Sequence, residues 1–239
     1  MGRLLIIGAS SDLSKSYISS IEDDDNVKID ILVRDPSKFS KLDSLRFENI
    51  YKFDLNKIEE LTNFRTESKY SKIIFFQGLD IIKPFSLYNT NEVVQMFNIN
   101  VLSTITLLNI LLSRKNISKE ASIVLISSIS GITKGTAGHV IYSSSKAALL
   151  GLVKSLSLEL AKRNIRINCI SPGLIQTETL FIKNNQILSE DEKNIYNKKY
   201  PLGVGELDSL NGTIKFLLEN SSKWITGQNI IVDGGHSNL

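Results

Sequence analysis

The chain has one cysteine, Cys169, among 239 residues, so no internal disulfide can staple it. A lone cysteine inside a β-branched run, with no histidine near it in sequence, reads as a buried strand thiol rather than a nucleophile. Histidine is also scarce. His139 and His236 are far apart and share no ligand spacing, so no metal centre is expected. Neither sign of charge dominates: 28 Lys and Arg face 25 Asp and Glu, a net +3. That is too little to make nucleic acid a main partner. Apolar runs are short and none reaches transmembrane length, so no membrane partner is expected. The first run, from Arg3 to Ile7, starts so close to Met1 that no signal peptide is expected before it, and a cytoplasmic protein is the reading. Linkers rich in Pro, Gly or Ser are missing as well, which points to a single domain over 1–239.

What is present is an alternation. Short β-branched runs at 4–7, 29–33, 50–53, 73–76, 123–126, 165–170 and 229–232 read as strands buried on both faces. Helical patterns fall between them at about 12–21, 56–68, 90–113, 142–162 and 207–220. The fold class is therefore α/β, a doubly wound, seven-stranded parallel sheet with helices on both faces. Glu22-Asp23-Asp24-Asp25 reads as a solvated turn. An Asn/Lys-rich stretch at 179–199 interrupts the alternation, either as a substrate lid or as a pair of surface helices.

Several residues carry chemistry. Tyr142 and Lys146 are four apart in a helical segment and so project from one face, with Ser128 a short loop upstream. An ammonium beside a phenol favours the phenolate, and such a pair can serve as a general acid or base. The first strand runs into Gly8-Ala9-Ser10-Ser11-Asp12-Leu13 and then a helix. This arrangement points free N–H groups and a helix dipole at an anion. At the end of the second strand Arg34 suits the 2′-phosphate of NADP(H), whereas the neighbouring Asp35 leaves NAD(H) open.

Together these residues resemble the short-chain dehydrogenase/reductase family along nearly the whole chain, and in particular 3-oxoacyl-acyl-carrier-protein reductases. Gly8-Ala9-Ser10-Ser11 resembles the start of the glycine-rich turn, and Asp54 the adenine-contacting Asp, with Leu55 beside it. Asn100 matches the helix Asn, Ser127-Ser128-Ile129-Ser130-Gly131 the serine motif, and Tyr142 with Lys146 the Tyr/Lys pair. The run from Ile167 to Thr177 and the run from Thr226 to Gly235 match the remaining signatures. The resemblance implies a single-domain Rossmann fold and a catalytic set of Asn100, Ser128, Tyr142 and Lys146. Tyr142 would exchange a proton with the substrate oxygen. Lys146 would hold the nicotinamide ribose and lower the Tyr142 pKa, Ser128 would bond the reacting oxygen, and Asn100 would position a water. A cofactor site is implied over Gly8, Ser10, Ser11, Asp12, Leu13, Arg34, Asp54, Leu55, Gly78, Tyr142, Lys146, Pro172, Gly173, Ile175 and Thr177. In it Ile175 and Thr177 would bond the carboxamide.

The chain departs from the family at Asp12 and Ser14, where glycines are usual, and at Phe76-Gln77-Gly78, where Asn-Ala-Gly is usual. Asp12 places a negative charge near a pyrophosphate, and cofactor affinity is the property it threatens. Two functions follow. One is an NADP(H)-dependent oxidoreductase, with NAD(H) as the other cofactor, acting on a small carbonyl or secondary alcohol. The other is a dinucleotide-binding sensor or partner protein with little or no catalysis. The substrate is either free or borne by an acidic carrier docked near Lys119 and Arg163; basic residues at helix ends serve helix dipoles equally well. By the same resemblance the chain is a homodimer or homotetramer, with Leu102, Ile105, Leu108, Leu149, Leu152 and Leu156 supplying apolar helix surface. His139, just before Tyr142, reads either as a pocket-border residue or as an exposed loop histidine.

Overall fold

The computed structural model describes residues 2–22, 27–39, 45–177 and 198–239. Seven strands form one sheet: β1 (Arg3–Ile7), β2 (Lys28–Val33), β3 (Phe47–Lys52), β4 (Tyr70–Phe75), β5 (Ile117–Ile126), β6 (Arg166–Pro172) and β7 (Asn229–Val232). Their order is β3-β2-β1-β4-β5-β6-β7, and every pairing is parallel. Side chains alternate across the sheet. Leu5, Ile7, Leu32, Ile73 and Phe75 therefore face one core layer, and Leu4, Ile6, Ile29, Ile31 and Ile74 face the other. Two long helices cover the first layer, α3 (Thr90–Ser113) and α4 (Val140–Ala161), through Leu107, Leu111, Leu149 and Val153. On the opposite face α1 (Asp12–Ser19) and α5 (Asn211–Leu218) contribute Tyr17, Ile18, Ile214 and Leu217. Each such side chain, fully buried, is worth roughly 1.5–3 kcal/mol.

The expected elements are present with revised limits. The helix expected over 56–68 is only α2 (Ile58–Leu61). Beyond it, hydroxyls capture the backbone that a helix would use: Thr62 Oγ1 donates to Glu59 O and Ser68 N–H donates to Thr66 Oγ1. β5 starts earlier than the expected 123, with a shift of register opposite Tyr70 to Lys72 and with Glu120 in the left-handed region at φ 62°. α3 corrects the expectation that no run reaches transmembrane length. It has 24 residues and an apolar 18-residue window. It is nevertheless 44% buried over that window, and Asn98 and Asn100 sit at its middle, as in a core helix. The candidate lid at 179–199 lies almost wholly outside the described residues, as does most of the acidic turn at 22–25.

The order reverses between β1 and β4. The connections that leave their paired C-terminal ends run to opposite faces of the sheet, to α1 and to α3, and open a crevice, the usual ligand position in an open α/β sheet.

Candidate active site

Both ends of the sheet bury polar groups. At the N-terminal end the buried Asp30 carboxylate accepts from Arg3 Nη1 at 3.0 Å, Asn49 Nδ2 at 3.0 Å and the Tyr70 hydroxyl at 2.8 Å. At the crevice, Ser14 Oγ and Gln77 Oε1 are buried with no partner. Buried polar atoms are ordinarily paired; Asn116 Oδ1 and Asn211 Oδ1 elsewhere are orphaned as well, so these two gain meaning from the crevice they border.

The crevice floor is built by β1 and its turn. Gly8 takes φ +74°, and a Cβ on it would lie 2.7 Å from Gln77 N, so only glycine lets the two turns meet. Ser11 caps α1 by accepting from Ser14 N–H at 3.2 Å. Ser10, Ser11, Asp12 and Leu13 are all partly exposed along this turn. Asp12 opens the helix, but the cap is Ser11. At the end of β2, Asp35 accepts from Ser37 N–H at 3.0 Å and Ser37 Oγ at 2.7 Å. Those bonds hold its carboxyl below the usual carboxylate range and occupy it locally. Arg34 stays exposed beside it. Asp54 Oδ1 accepts from Asn56 N–H at 3.0 Å, and Leu55 is buried alongside. Asn98 Nδ2 donates to Asn56 O at 3.0 Å and so ties this turn to α3.

The four side chains singled out by sequence meet at the ends of β4 and β5. Asn100 lies in a π-helical stretch of α3, Asn98–Leu102, that turns its amide inward. Its Oδ1 accepts from Leu79 N–H at 2.7 Å, and its Nδ2 donates to Leu79 O at 3.0 Å and Ser145 Oγ at 2.8 Å. Ser128 starts a single 3₁₀ turn, where its Oγ accepts from Ser130 N–H at 3.2 Å, and its hydroxyl stands near the Tyr142 phenol. Lys146 is 2% exposed and donates to Ile126 O at 2.8 Å and Gln77 O at 3.2 Å. Gly78 leaves room for it: a Cβ there would lie 3.3 Å from Nζ.

Burial lowers the Lys146 ammonium to about 8. The Tyr142 phenol is pushed up to about 12, chiefly by burial and then by the Asp80 carboxylate, while the Ser128 hydroxyl pulls the other way. The lowering of Tyr142 expected from Lys146 does not appear. The ammonium is 5.9 Å from the ring centroid and is engaged by two carbonyls.

On the far wall Pro172 ends β6. Gly173 N–H donates to Val232 O at 2.9 Å, and a Cβ on Gly173 would lie 2.8 Å from Asp233 Cβ, so this glycine serves the β6–β7 closure. Ile175 bridges Gly205 through its neighbours, Gln176 N–H to Gly205 O at 2.8 Å and Gly205 N–H to Leu174 O at 3.0 Å. Parallel geometry then turns the amide and carbonyl of Ile175 itself to the opposite side. Thr177 is the last described residue before 198. Sequence reasoning passed over Asp80 and Ser145, whose only signal was closeness to Gly78 and Tyr142. It also left His139 open; the residue is half-buried and paired with Asp80 at 3.3 Å. Cys169 is a buried thiol raised to about 12, as expected of a structural residue. Among the described residues no group of three or more His, Cys, Asp or Glu could hold a metal ion.

A family model described as enoyl-(acyl carrier protein) reductase matches residues 73–237. The chain belongs to the short-chain dehydrogenase/reductase family. Members of that family take NAD(P)(H), and the Gly8 turn and the α1 N-terminus fit such a group. Among curated relatives, carbonyl reductase family member 4 of Xenopus laevis is 38% identical over 61% of this chain and 58% of its own length. The 3-oxoacyl-[acyl-carrier-protein] reductase FabG of Chlamydia muridarum is 41% identical over 49% and 46%. FabG of Aquifex aeolicus is 32% identical over 74% and 72%. The chain thus spans about half the length of the first two. Among solved structures, a short-chain dehydrogenase family protein from Francisella tularensis matches all of both chains with a TM-score of 0.87 and 25% identity. ElxO, solved with NADP bound, matches with 0.84 and 24% over 100% of this chain and 99% of its own, a likeness of fold.

Proposed function

We propose that this short-chain dehydrogenase/reductase is an NADP(H)-dependent oxidoreductase that passes hydride between the nicotinamide and a carbonyl or secondary alcohol, with Tyr142 as general acid and base. The observation that carries this is one cluster in which buried Lys146 lies 5.9 Å from the Tyr142 ring centroid, Ser128 stands near the phenol, and Asn100 is bonded to Ser145 between Tyr142 and Lys146 on the helix. The bound cofactor supplies the hydride. Ser128 holds the substrate oxygen, and Tyr142, protonated at neutral pH, donates to it as it becomes an alcohol. Lys146, poised near 8, replenishes that proton, and Asn100 keeps its loop in register. Arg34 supports NADP(H), because the Asp35 carboxylate is already held by Ser37. The matching FabG relatives favour a 3-oxoacyl thioester, free or carrier-borne; a cytoplasmic location belongs to the same proposal. The degraded turn at Asp12 favours the second reading, a binding protein with little turnover.

The test is calorimetric titration with NADPH and NADH, then turnover of acetoacetyl-N-acetylcysteamine. NADPH is expected to bind more tightly, with the preference falling roughly ten- to hundredfold in Arg34→Ala. Tyr142→Phe should lose about 10²–10⁴-fold in turnover and keep cofactor binding. Full activity in that variant sinks the mechanism. Binding without turnover, across this probe and simple ketones, gives the second reading.

A further inference from the structure

Gln77 is one of the residues at which the chain departs from its family, and it stands where three parts of the site meet. A Cβ on Gly8 would lie 2.7 Å from Gln77 N and 3.0 Å from Gln77 Cβ, so the turn after β1 packs against it. Its carbonyl receives the Lys146 ammonium at 3.2 Å. Its side chain reaches α3, where Nε2 donates to Thr104 Oγ1 at 2.7 Å and to Ser103 Oγ at 3.4 Å.

The sheet stops short of this residue. The β1–β4 ladder ends with Ile7 opposite Phe75, and Phe76 N–H still donates to Ile7 O at 2.9 Å. Gly78, which follows Gln77, has the widest backbone freedom of any residue type. Alternation turns Phe76 into the core layer under α1 and α5, and Gln77 toward α3. Residues 77–79 are therefore held from α3, at Gln77 through Thr104 and Ser103 and at Leu79 through the Asn100 amide. Asn100 lies in the π-helical stretch, and Ser103 and Thr104 directly follow it; Ser103 Oγ also donates back to Ile99 O at 2.7 Å. Ser103 and Thr104 are fully buried in the helix that supplies Leu107 and Leu111 to the core, where a hydroxyl costs stability unless it is bonded. Gln77 Oε1 has no partner, so the Nε2 bonds are what hold the amide.

We propose that Gln77 is a positioning residue: its side-chain amide, anchored on Thr104 and Ser103, fixes the direction of its own backbone carbonyl and so the place of the Lys146 ammonium that the carbonyl receives. This rests on the reading of Lys146 as the group that replenishes the Tyr142 proton. The other acceptor of the ammonium is Ile126 O at 2.8 Å, the last residue of β5. The lysine is thus strung between the ends of two strands, and the clamp sets one of them. A hydrogen bond accepted from an ammonium favours the charged form, so a carbonyl released to turn away lets the proton leave more easily. Among the described residues, the other titratable groups that face Lys146 are Tyr142 on its own helix, Cys169 on β6 and Asp80 beyond Gly78. Substitutions at Gln77 and Thr104 leave all three in place.

An NMR titration of the full chain, with isotope-labelled lysine read at Cε, tests this without turnover. The Lys146 signal is the one lost in Lys146→Met. In Gln77→Met, which keeps the length of the side chain and removes its amide, the Lys146 midpoint should fall by about one pH unit. Thr104→Val leaves only the longer bond to Ser103, and should give part of that fall from the other side of the contact. Because both substitutions cut one anchor, the double variant should fall no further than Gln77→Met alone. A midpoint unmoved in both single variants, whatever they do to stability or turnover, makes Gln77 a packing residue and overturns the proposal. Full turnover of acetoacetyl-N-acetylcysteamine by Lys146→Met, or none by the native chain, overturns instead the reading of Lys146 beneath it.

Discussion

Lys146 is a charged side chain in a place that disfavours charge. It is 2% exposed, and its two acceptors are neutral carbonyls rather than a carboxylate. Its proton leaves the folded protein at about 8 and the unfolded chain near 10.5. Between those values the unfolded chain binds more protons, so the Lys146 contribution to stability increases with pH, by at most roughly 3 kcal/mol. Tyr142 and Cys169, both raised to about 12, act in the opposite sense above their unfolded values of 10.0 and 9.0. The comparison that isolates the lysine is therefore native chain against Lys146→Met in urea unfolding at several pH values. The difference should shift in favour of the native chain from pH 8 upward. A difference independent of pH would show that the ammonium is not desolvated. The same residue separates what the sequence discloses from what it hides. A Tyr and a Lys four apart must share a helix face, but two carbonyls engaging the lysine can be seen only once β4 and β5 have been placed.

At the scale of elements, the site depends on how one short turn packs. The Ser128 turn lies on the first turn of α4, and a Cβ on Gly131 would stand 2.3 Å from Ser143 O and 3.1 Å from Ala147 N. Gly131→Ala must therefore push the turn off the helix. The expected cost is about 1–3 kcal/mol of overpacking, with a loss of turnover larger than the loss of stability explains, because Ser128 moves away from Tyr142. Thermal unfolding beside activity checks this, and unchanged turnover would show that the turn has slack. Strands β1 and β2 were legible as apolar runs, since burial on both faces leaves no alternation to misread, and the edge strand β7 was legible from its three β-branched residues. The short α2 was not, because the hydroxyls of Thr62 and Thr66 compete for the backbone in a way that hydrophobic periodicity does not record. Nor was the π-helical stretch that aims Asn100. Its residues have ordinary helix patterning, and only the contacts with Leu79 and Ser145 give it a reason.

At the scale of the molecule, apolar surface remains uncovered on the long helices. Leu102 and Ile105 on α3 are 42% and 41% exposed, whereas Leu108 and Leu149 belong to the core, and Leu152 and Leu156 pack partly against it. Self-association through that face predicts that Leu102→Glu with Ile105→Glu lowers the mass found by light scattering at micromolar concentration while the thermal midpoint of the monomer is kept. A native chain that is already monomeric would leave this surface without that role.

The order of strands and helices, the parallel sheet and the places of Gly8, Asn100, Ser128, Tyr142 and Lys146 follow from the sequence alone. Periodicity and local geometry act between residues close in the chain, and the family likeness adds their order. Tertiary structure alone decided the environment of each: which carbonyls engage Lys146, that Asp80 and His139 meet beside Tyr142, and that the phenol is hard to ionise. Those properties come from burial and from charges brought together from segments up to 69 residues apart, as Gln77 and Lys146 are, and no local pattern encodes them.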